Sequence, residues 1–143
     1  MEKHLCILYI YSMNEILLNL TDLSSEPLHG QISRQIRARI LAHELTDEEP
    51  LPSIRVMARE QKVSVITVKR AYEDLEREGL IRSRRGKGFF VSAISHETKQ
   101  RMAEERLAAE LSRLLDGTLA EGLSPQRISE VFRNLMKKRG YLR

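Results

Sequence analysis

Apolar residues recur with helical spacing along most of this chain. Leu28, Ile32, Ile36 and Ile40 fall every fourth residue after Pro27, which predicts one amphipathic helix reaching about Glu44. Arg34, Arg37 and Arg39 lie off that stripe and read as a solvated face, with contact to a phosphate as the alternative. Ser53, a good N-cap residue just after Pro52, opens a short helix whose apolar positions are Val56, Met57 and Ala58. A turn is expected around Gln61 to Val63. Ser64 then caps a longer helix in which Val68, Ala71, Tyr72 and Leu75 fall at i, i+3, i+4 and i+7, one buried stripe. Its other face carries Val65, Ile66, Lys69 and Arg70, next to Thr67. Gly79 suits the C-terminal stop of this helix.

Beyond Gly79 the period changes. Leu80 to Arg82 and Phe89 to Val91 read as paired strands around a basic turn from Arg84 to Gly88. Leu51 is expected to enter a short strand beside this hairpin, and Ile16 to Leu20 alternates weakly enough to suggest another. Thr46 to Pro50 is an acidic turn. After a linker from Ser92 to Ile94, Ser95 can cap a long helix with an apolar seam at Ala103, Leu107, Leu111, Leu114 and Leu115, weakened late by Gly117. Gly122 is a plausible stop. Ser124 and Pro125 begin a last helix with a stripe at Ile128, Val131, Phe132, Leu135 and Met136, before a basic end from Lys137 to Arg143 that is expected to fray. Two such helices cannot bury both apolar faces alone. Their cover is either the same hairpin of a second copy, through Leu107, Leu111, Leu114, Ile128, Val131, Phe132 and Leu135, or the preceding domain of the same chain.

Two short helices joined by a tight turn suit a helix-turn-helix, whose second helix can lie in a DNA major groove. The hairpin after it would be a wing. Residues 80–88 hold four basic side chains and no acidic one. Net charge is only +4, with an isoelectric point near 9.4, so placement matters more than total. A solvated basic loop is the plainer alternative for this patch.

At these residues the chain resembles a known family. LPSIR (Leu51 to Arg55), VSVITVKRAYEDLEREGLI (Val63 to Ile81) and RRGKGFFV (Arg84 to Val91) are similar to the winged helix-turn-helix of GntR-type bacterial transcription regulators. EPLHGQISRQIRARIL, Glu26 to Leu41, is similar to that family's first helix. The short helical tail resembles the YtrA subfamily. The resemblance covers roughly half the chain. It implies a mainly α fold with a small β wing: a winged helix-turn-helix domain over residues 14–92, then a C-terminal two-helix dimerisation hairpin over 93–143. Residues 1–13 are expected to be an extension outside the fold, with an extra element packed on the domain as the alternative. The implied function is that of a dimeric, sequence-specific DNA-binding repressor reading an inverted repeat.

The resemblance matches Arg55 with an arginine that contacts DNA, and Thr67 and Lys69 with further contacting positions. Arg55 can bond guanine O6 and N7 bidentately, or it can form a surface ion pair with Glu60 or another carboxylate. Ser53 and Ser64 present helix N-termini to phosphate or act only as caps, and the two roles are compatible. Thr67 is either a contact or half-buried support. Val65 departs from the arginine or asparagine common in the family, and Ile66 departs too. These two offer contact with thymine methyl groups, or are partly covered by the wing or a neighbouring helix. Arg70 suits a phosphate. Arg84, Arg85 and Lys87 supply charge in the wing, where Gly86 and Gly88 allow close approach of the backbone. The family usually has glycine near Glu48, which puts the turn geometry there in question.

Other chemistry is thin. Cys6 is the single cysteine, so no disulfide or cysteine-based zinc site can form within one chain, and a cytoplasmic location is expected. No segment is long enough to span a bilayer. His4, His29, His43 and His96 are scattered, and RRGKG lacks P-loop spacing. No enzyme, metal or cofactor is therefore expected. About fifty residues follow the wing, too few for a deep metabolite pocket in one subunit, and they identify no effector ligand. The competing reading is a winged-helix protein-interaction module that offers its basic hairpin to an acidic partner.

Overall fold

The computed structural model describes residues 16–143. The expected N-terminal extension, with His4, Cys6 and Met13, lies outside the described residues. Two compact units divide the chain, the first ending at His96 and the second running Glu97–Arg143.

In the first unit, helices α1 (Leu28–Leu41), α2 (Ile54–Gln61) and α3 (Val65–Arg77) precede an antiparallel hairpin of β1 (Ile81–Arg84) and β2 (Gly88–Val91). The spacing explains the packing. Ile32, Ile36 and Ile40 of α1 are fully buried, as are Val68, Ala71, Tyr72 and Leu75 of α3. Helix α3 packs against α1, α2 and β1. Met57, Leu80, Ile81 and Val91 complete the core. Burying an aliphatic side chain of this size stabilises by about 1.5–3 kcal/mol. The hairpin register pairs Ile81 with Val91 and Arg84 with Gly88.

Several local expectations need correction. Helix α1 stops at Leu41 rather than near Glu44, because His43 turns left-handed (φ 60°) and the N–H groups of Glu44 and Leu45 both return to the Arg39 carbonyl. Ile16 to Leu20 is not a strand. Side-chain amides hold it instead: Gln35 exchanges hydrogen bonds with Asn19, and Gln61 donates to the Ile16 carbonyl. Leu51 enters no strand, although its N–H donates to the Phe89 carbonyl and Pro50 bridges Phe90. Arg37 is not on a solvated face. It is buried, and its Nε donates to Glu78 at the end of α3 at 2.6 Å while a second guanidinium nitrogen bonds the other carboxylate oxygen. A guanidinium taken from water needs such a bidentate partner. Arg34 pairs with Glu26 at the surface, and Arg39 donates to the Leu17 carbonyl.

The second unit is a helical hairpin. Helix α4 (His96–Ala120) opens directly after Ser95 and runs through Gly117 without a break. Gly122, left-handed at φ 89°, ends it, and the Leu123 N–H returns to the Thr118 carbonyl. Ser124 caps α5 (Pro125–Lys138) by accepting from the Arg127 N–H at 3.3 Å.

Tyr72 ties the first unit together. Its buried hydroxyl donates to the Pro52 carbonyl at 2.8 Å, joining α3 to the approach of α2. Burial, and then the charge of Glu60, push the phenol well above its ordinary value of 10.0. Tyr72→Phe is expected to lower stability by about 0.5–1.5 kcal/mol in urea unfolding. The raised phenol also adds an alkaline loss of stability. Above the ordinary tyrosine pKa the unfolded state releases a proton that the folded state keeps, so stability falls as pH rises. That fall should be shallower in Tyr72→Phe.

Candidate nucleic-acid interface

Capping geometry sets where α2 and α3 begin. Ser53 is extended, and its hydroxyl accepts from the Val56 N–H at 3.2 Å. Lys62 follows α2 in the left-handed region (φ 55°), and Val63 N–H bonds the Ala58 carbonyl. The chain thereby turns within three residues into Ser64, whose hydroxyl accepts from the Thr67 N–H at 3.1 Å. This is the expected helix-turn-helix, with the turn where the sequence puts it.

Helix α3 then divides into two faces. Opposite its buried stripe, Val65 is 49% exposed and Ile66 67% exposed. Val65 is thus about half covered and Ile66 mostly bare. Lys69 and Arg70 are exposed beside them; Lys69 forms an i,i+4 pair with Glu73 at 3.7 Å. Thr67 is half-buried, with its hydroxyl 2.8 Å from that of Ser64, so it supports the cap. Arg55 is exposed and has no ion pair among the described residues. Glu60, its suggested partner, buries one carboxylate oxygen without a hydrogen bond.

The wing is anchored to α3 from one side and tied back from the other. On the α3 side, Phe89 meets Tyr72 edge-on with ring centres 5.0 Å apart, and Glu76 accepts from the Ser83 N–H and hydroxyl at 3.0 and 2.9 Å. The tip, Arg85-Gly86-Lys87, is exposed, and left-handed backbone at Gly86 and Gly88 (φ 73° and 95°) closes it. On the outer side, Arg84 lies 4.6 Å over the Phe90 ring and donates to Glu48, as does Arg82. Arg84 is thus already engaged, whereas Arg85 and Lys87 have no ion pair among the described residues. Sequence reasoning counted Arg82 in the basic patch but missed Glu48 and Glu76 as its partners and neighbours on this surface. The one available signal was Glu48 itself, in a turn where glycine is usual. Its φ of 66° is the left-handed conformation that glycine adopts readily.

In the second unit, α4 and α5 enclose an apolar groove of about 150 Å³. Leu111, Leu114, Leu115, Thr118, Leu123, Ile128, Val131, Phe132 and Leu135 line it. Leu107 lies outside the groove and is 58% exposed. Val131, Phe132 and Leu135 are each about half exposed. No residue of α5 is buried within the chain.

Among the described residues no three His, Cys, Asp or Glu side chains could hold a metal together, and no helix is long and apolar enough to cross a membrane. His43 and His96 stack at 5.0 Å with ring nitrogens 2.8 Å apart.

Comparison with known proteins agrees with this geometry. The family model described as "Bacterial regulatory proteins, gntR family" matches residues 28–91, the span from α1 to the end of the wing. The chain is 39% identical over 87 residues to the uncharacterized HTH-type transcriptional regulator YhcF of Bacillus subtilis (strain 168), covering 59% of this chain and 72% of YhcF. It is 35% identical over 88 residues to the HTH-type transcriptional repressor YtrA of the same strain, covering 59% of this chain and 68% of YtrA. Among solved structures, YtrA from Sulfolobus acidocaldarius, a GntR-family transcription factor, superposes with a TM-score of 0.53 at 30% identity, over 66% of this chain and 99% of that one.

The Ser64 cap is testable on its own. Ser64→Ala removes the acceptor for the Thr67 N–H and is expected to cost about 1 kcal/mol of stability. Its unfolding midpoint should fall, while Ser64→Gly, which frees the cap backbone, should lose only a few tenths of a kcal/mol.

Proposed function

This chain belongs to the gntR family of bacterial regulatory proteins, as a DNA-binding transcription regulator, and from that premise we propose that it is a dimeric cytoplasmic repressor of an inverted-repeat operator. The observation that carries the reading is the two-faced character of α3: fully buried on one side, and on the other bare, β-branched and cationic. Residues 14–92 form the DNA-binding domain in this reading, and 93–143 the dimerisation region.

Helix α3 enters the major groove. Val65 and Ile66 meet thymine methyl groups there, Arg55 reads a guanine, and Lys69 and Arg70 engage phosphates. The capped N-termini at Ser53 and Ser64 point backbone N–H groups at the DNA backbone, and Thr67 holds the Ser64 cap in register. At the wing, Arg85 and Lys87 carry the charge, Gly86 and Gly88 admit the duplex, and Arg84 contributes once released from Glu48. The repressor assignment leans on the name of the relative YtrA, a transcriptional repressor. The apolar groove between α4 and α5 supports dimerisation, because a half-exposed stripe of Val131, Phe132 and Leu135 is costly to leave in water. Family and relatives are transcription regulators rather than enzymes. The other reading, a protein-interaction module using the basic hairpin, has no observation in its favour.

Selection of bound fragments from the source genome with purified protein tests the reading and yields the operator. A shared inverted repeat is expected; recovery without any common sequence would refute sequence-specific binding. On that operator, Arg55→Ala should weaken binding by about 1–3 kcal/mol and relax preference at one base position. Unchanged affinity would remove Arg55 from the interface. Phe132→Glu places a charge in the groove and should turn a dimer into monomers in analytical ultracentrifugation. Wild-type protein sedimenting as a monomer at micromolar concentration would refute the dimer.

A further inference from the structure

Glu48 occupies the loop after α1, and its backbone N–H donates to the Val91 carbonyl at 3.0 Å. That bond fixes the loop against β2 and carries a carboxylate to the outer face of the wing. Arg82 and Arg84, two residues apart on β1, share this face. Both donate to the Glu48 carboxylate. The hydrogen bond from Arg82, then the charges of both arginines, hold the Glu48 carboxyl below the usual carboxylate range. It is therefore ionised at neutral pH. The side chains of Arg82, Arg84 and Glu48 nevertheless stay 46%, 40% and 43% exposed. Water and salt weaken such a cluster, and a competing anion can open it. A carboxylate and a phosphodiester offer a guanidinium the same pair of acceptor oxygens.

We propose that Glu48 is an internal stand-in for DNA phosphate, holding Arg82 and Arg84 away from non-cognate duplex and so setting the ratio of specific to non-specific binding. The proposal rests on the reading in which the wing faces DNA. Non-specific affinity grows with the number of phosphates that basic residues neutralise. Two of the four basic side chains in residues 80–88 are withdrawn from that sum by one carboxylate. Exchanging Glu48 for a phosphate leaves an unpaired carboxylate facing a polyanion, so the exchange gains little on random sequence. Base contacts from α3 and Arg55 do not depend on it. Discrimination is thereby raised without any additional base contact.

The test compares Glu48→Gln with Glu44→Gln, the same loss of charge at an exposed residue four positions earlier that touches neither arginine. Binding to a random-sequence duplex is measured between about 50 and 200 mM salt. Glu48→Gln should tighten binding about tenfold at the low-salt end and steepen the slope of log K against log salt by about 1–2, near 0.9 per added phosphate contact. Glu44→Gln should change affinity by less than about twofold. In an Arg82→Gln/Arg84→Gln background, Glu48→Gln should have no further effect. Glu48→Gly, which suits the left-handed turn, should repeat the Glu48→Gln result and so excludes a folding artefact. Equal effects of Glu48→Gln and Glu44→Gln, an unchanged slope, or weaker binding by both Glu48 variants overturns the proposal. Wild-type protein that binds no duplex at all sinks the DNA-facing reading and the proposal together; wild-type binding that Glu48→Gln leaves unaltered sinks the proposal alone.

Discussion

Val68, Ala71, Tyr72 and Leu75 are completely out of water, and α1, α2 and β1 all close on the stripe they make. A thirteen-residue helix is marginal by itself. Tertiary packing of this one face holds α3 straight, and it leaves the other face free to carry residues that would be unfavourable in a core or wasteful on an ordinary surface. The end of α3 is tied to α1 by Arg37 and Glu78, its middle to the start of α2 by Tyr72, and its last turns to the wing by Glu76 and Ser83. Helix α3 is thus held by polar contacts at three points along one apolar seam.

The buried half of this arrangement was legible in the sequence. Period alone identified the α1 and α3 stripes, Ser53, Ser64 and Ser124 declared three helix starts, and the glycines around Lys87 marked the hairpin turn. What escaped was long in sequence separation or carried by polar side chains. Arg37 looks like any other arginine off an apolar stripe, and its partner is 41 residues away. Glu48 lies 34 residues before Arg82. Hydrophobic periodicity has no term for such pairings, because an ion pair needs two positions brought together by the fold rather than a pattern within one segment. Ile16 to Leu20 failed for a related reason. Its alternation is real, but among the described residues no strand pairs with it, and glutamine side chains from α1 and α2 bond its backbone instead.

The candidate interface divides the same way. Val65 and Ile66 stand exposed opposite the buried stripe of α3. Arg55 is exposed and forms no ion pair among the described residues. Thr67 is half-buried, with its hydroxyl beside that of Ser64. The wing is not uniform in charge: among the described residues the tip residues Arg85 and Lys87 have no ion pair, while Arg84 is held by both a carboxylate and an aromatic face.

The second unit obeys the opposite economy. Its two helices are well specified locally, with a serine cap, proline at the first turn and a left-handed glycine between them, yet α5 buries no residue within the chain. Local signals fix where a helix starts and stops, whereas the free energy that keeps it folded comes from covering its apolar face. For α1 and α3 that cover is supplied within the first unit. For α5 the groove lined by Leu111, Leu114 and Phe132 supplies only part of it. A hairpin built so has its stability linked to whatever completes the cover, and if that is a second copy, to protein concentration. Folding of the tail and pairing of two reading heads then become a single equilibrium, so that a monomer would carry both a loosened tail and only half the contacts needed to hold an operator.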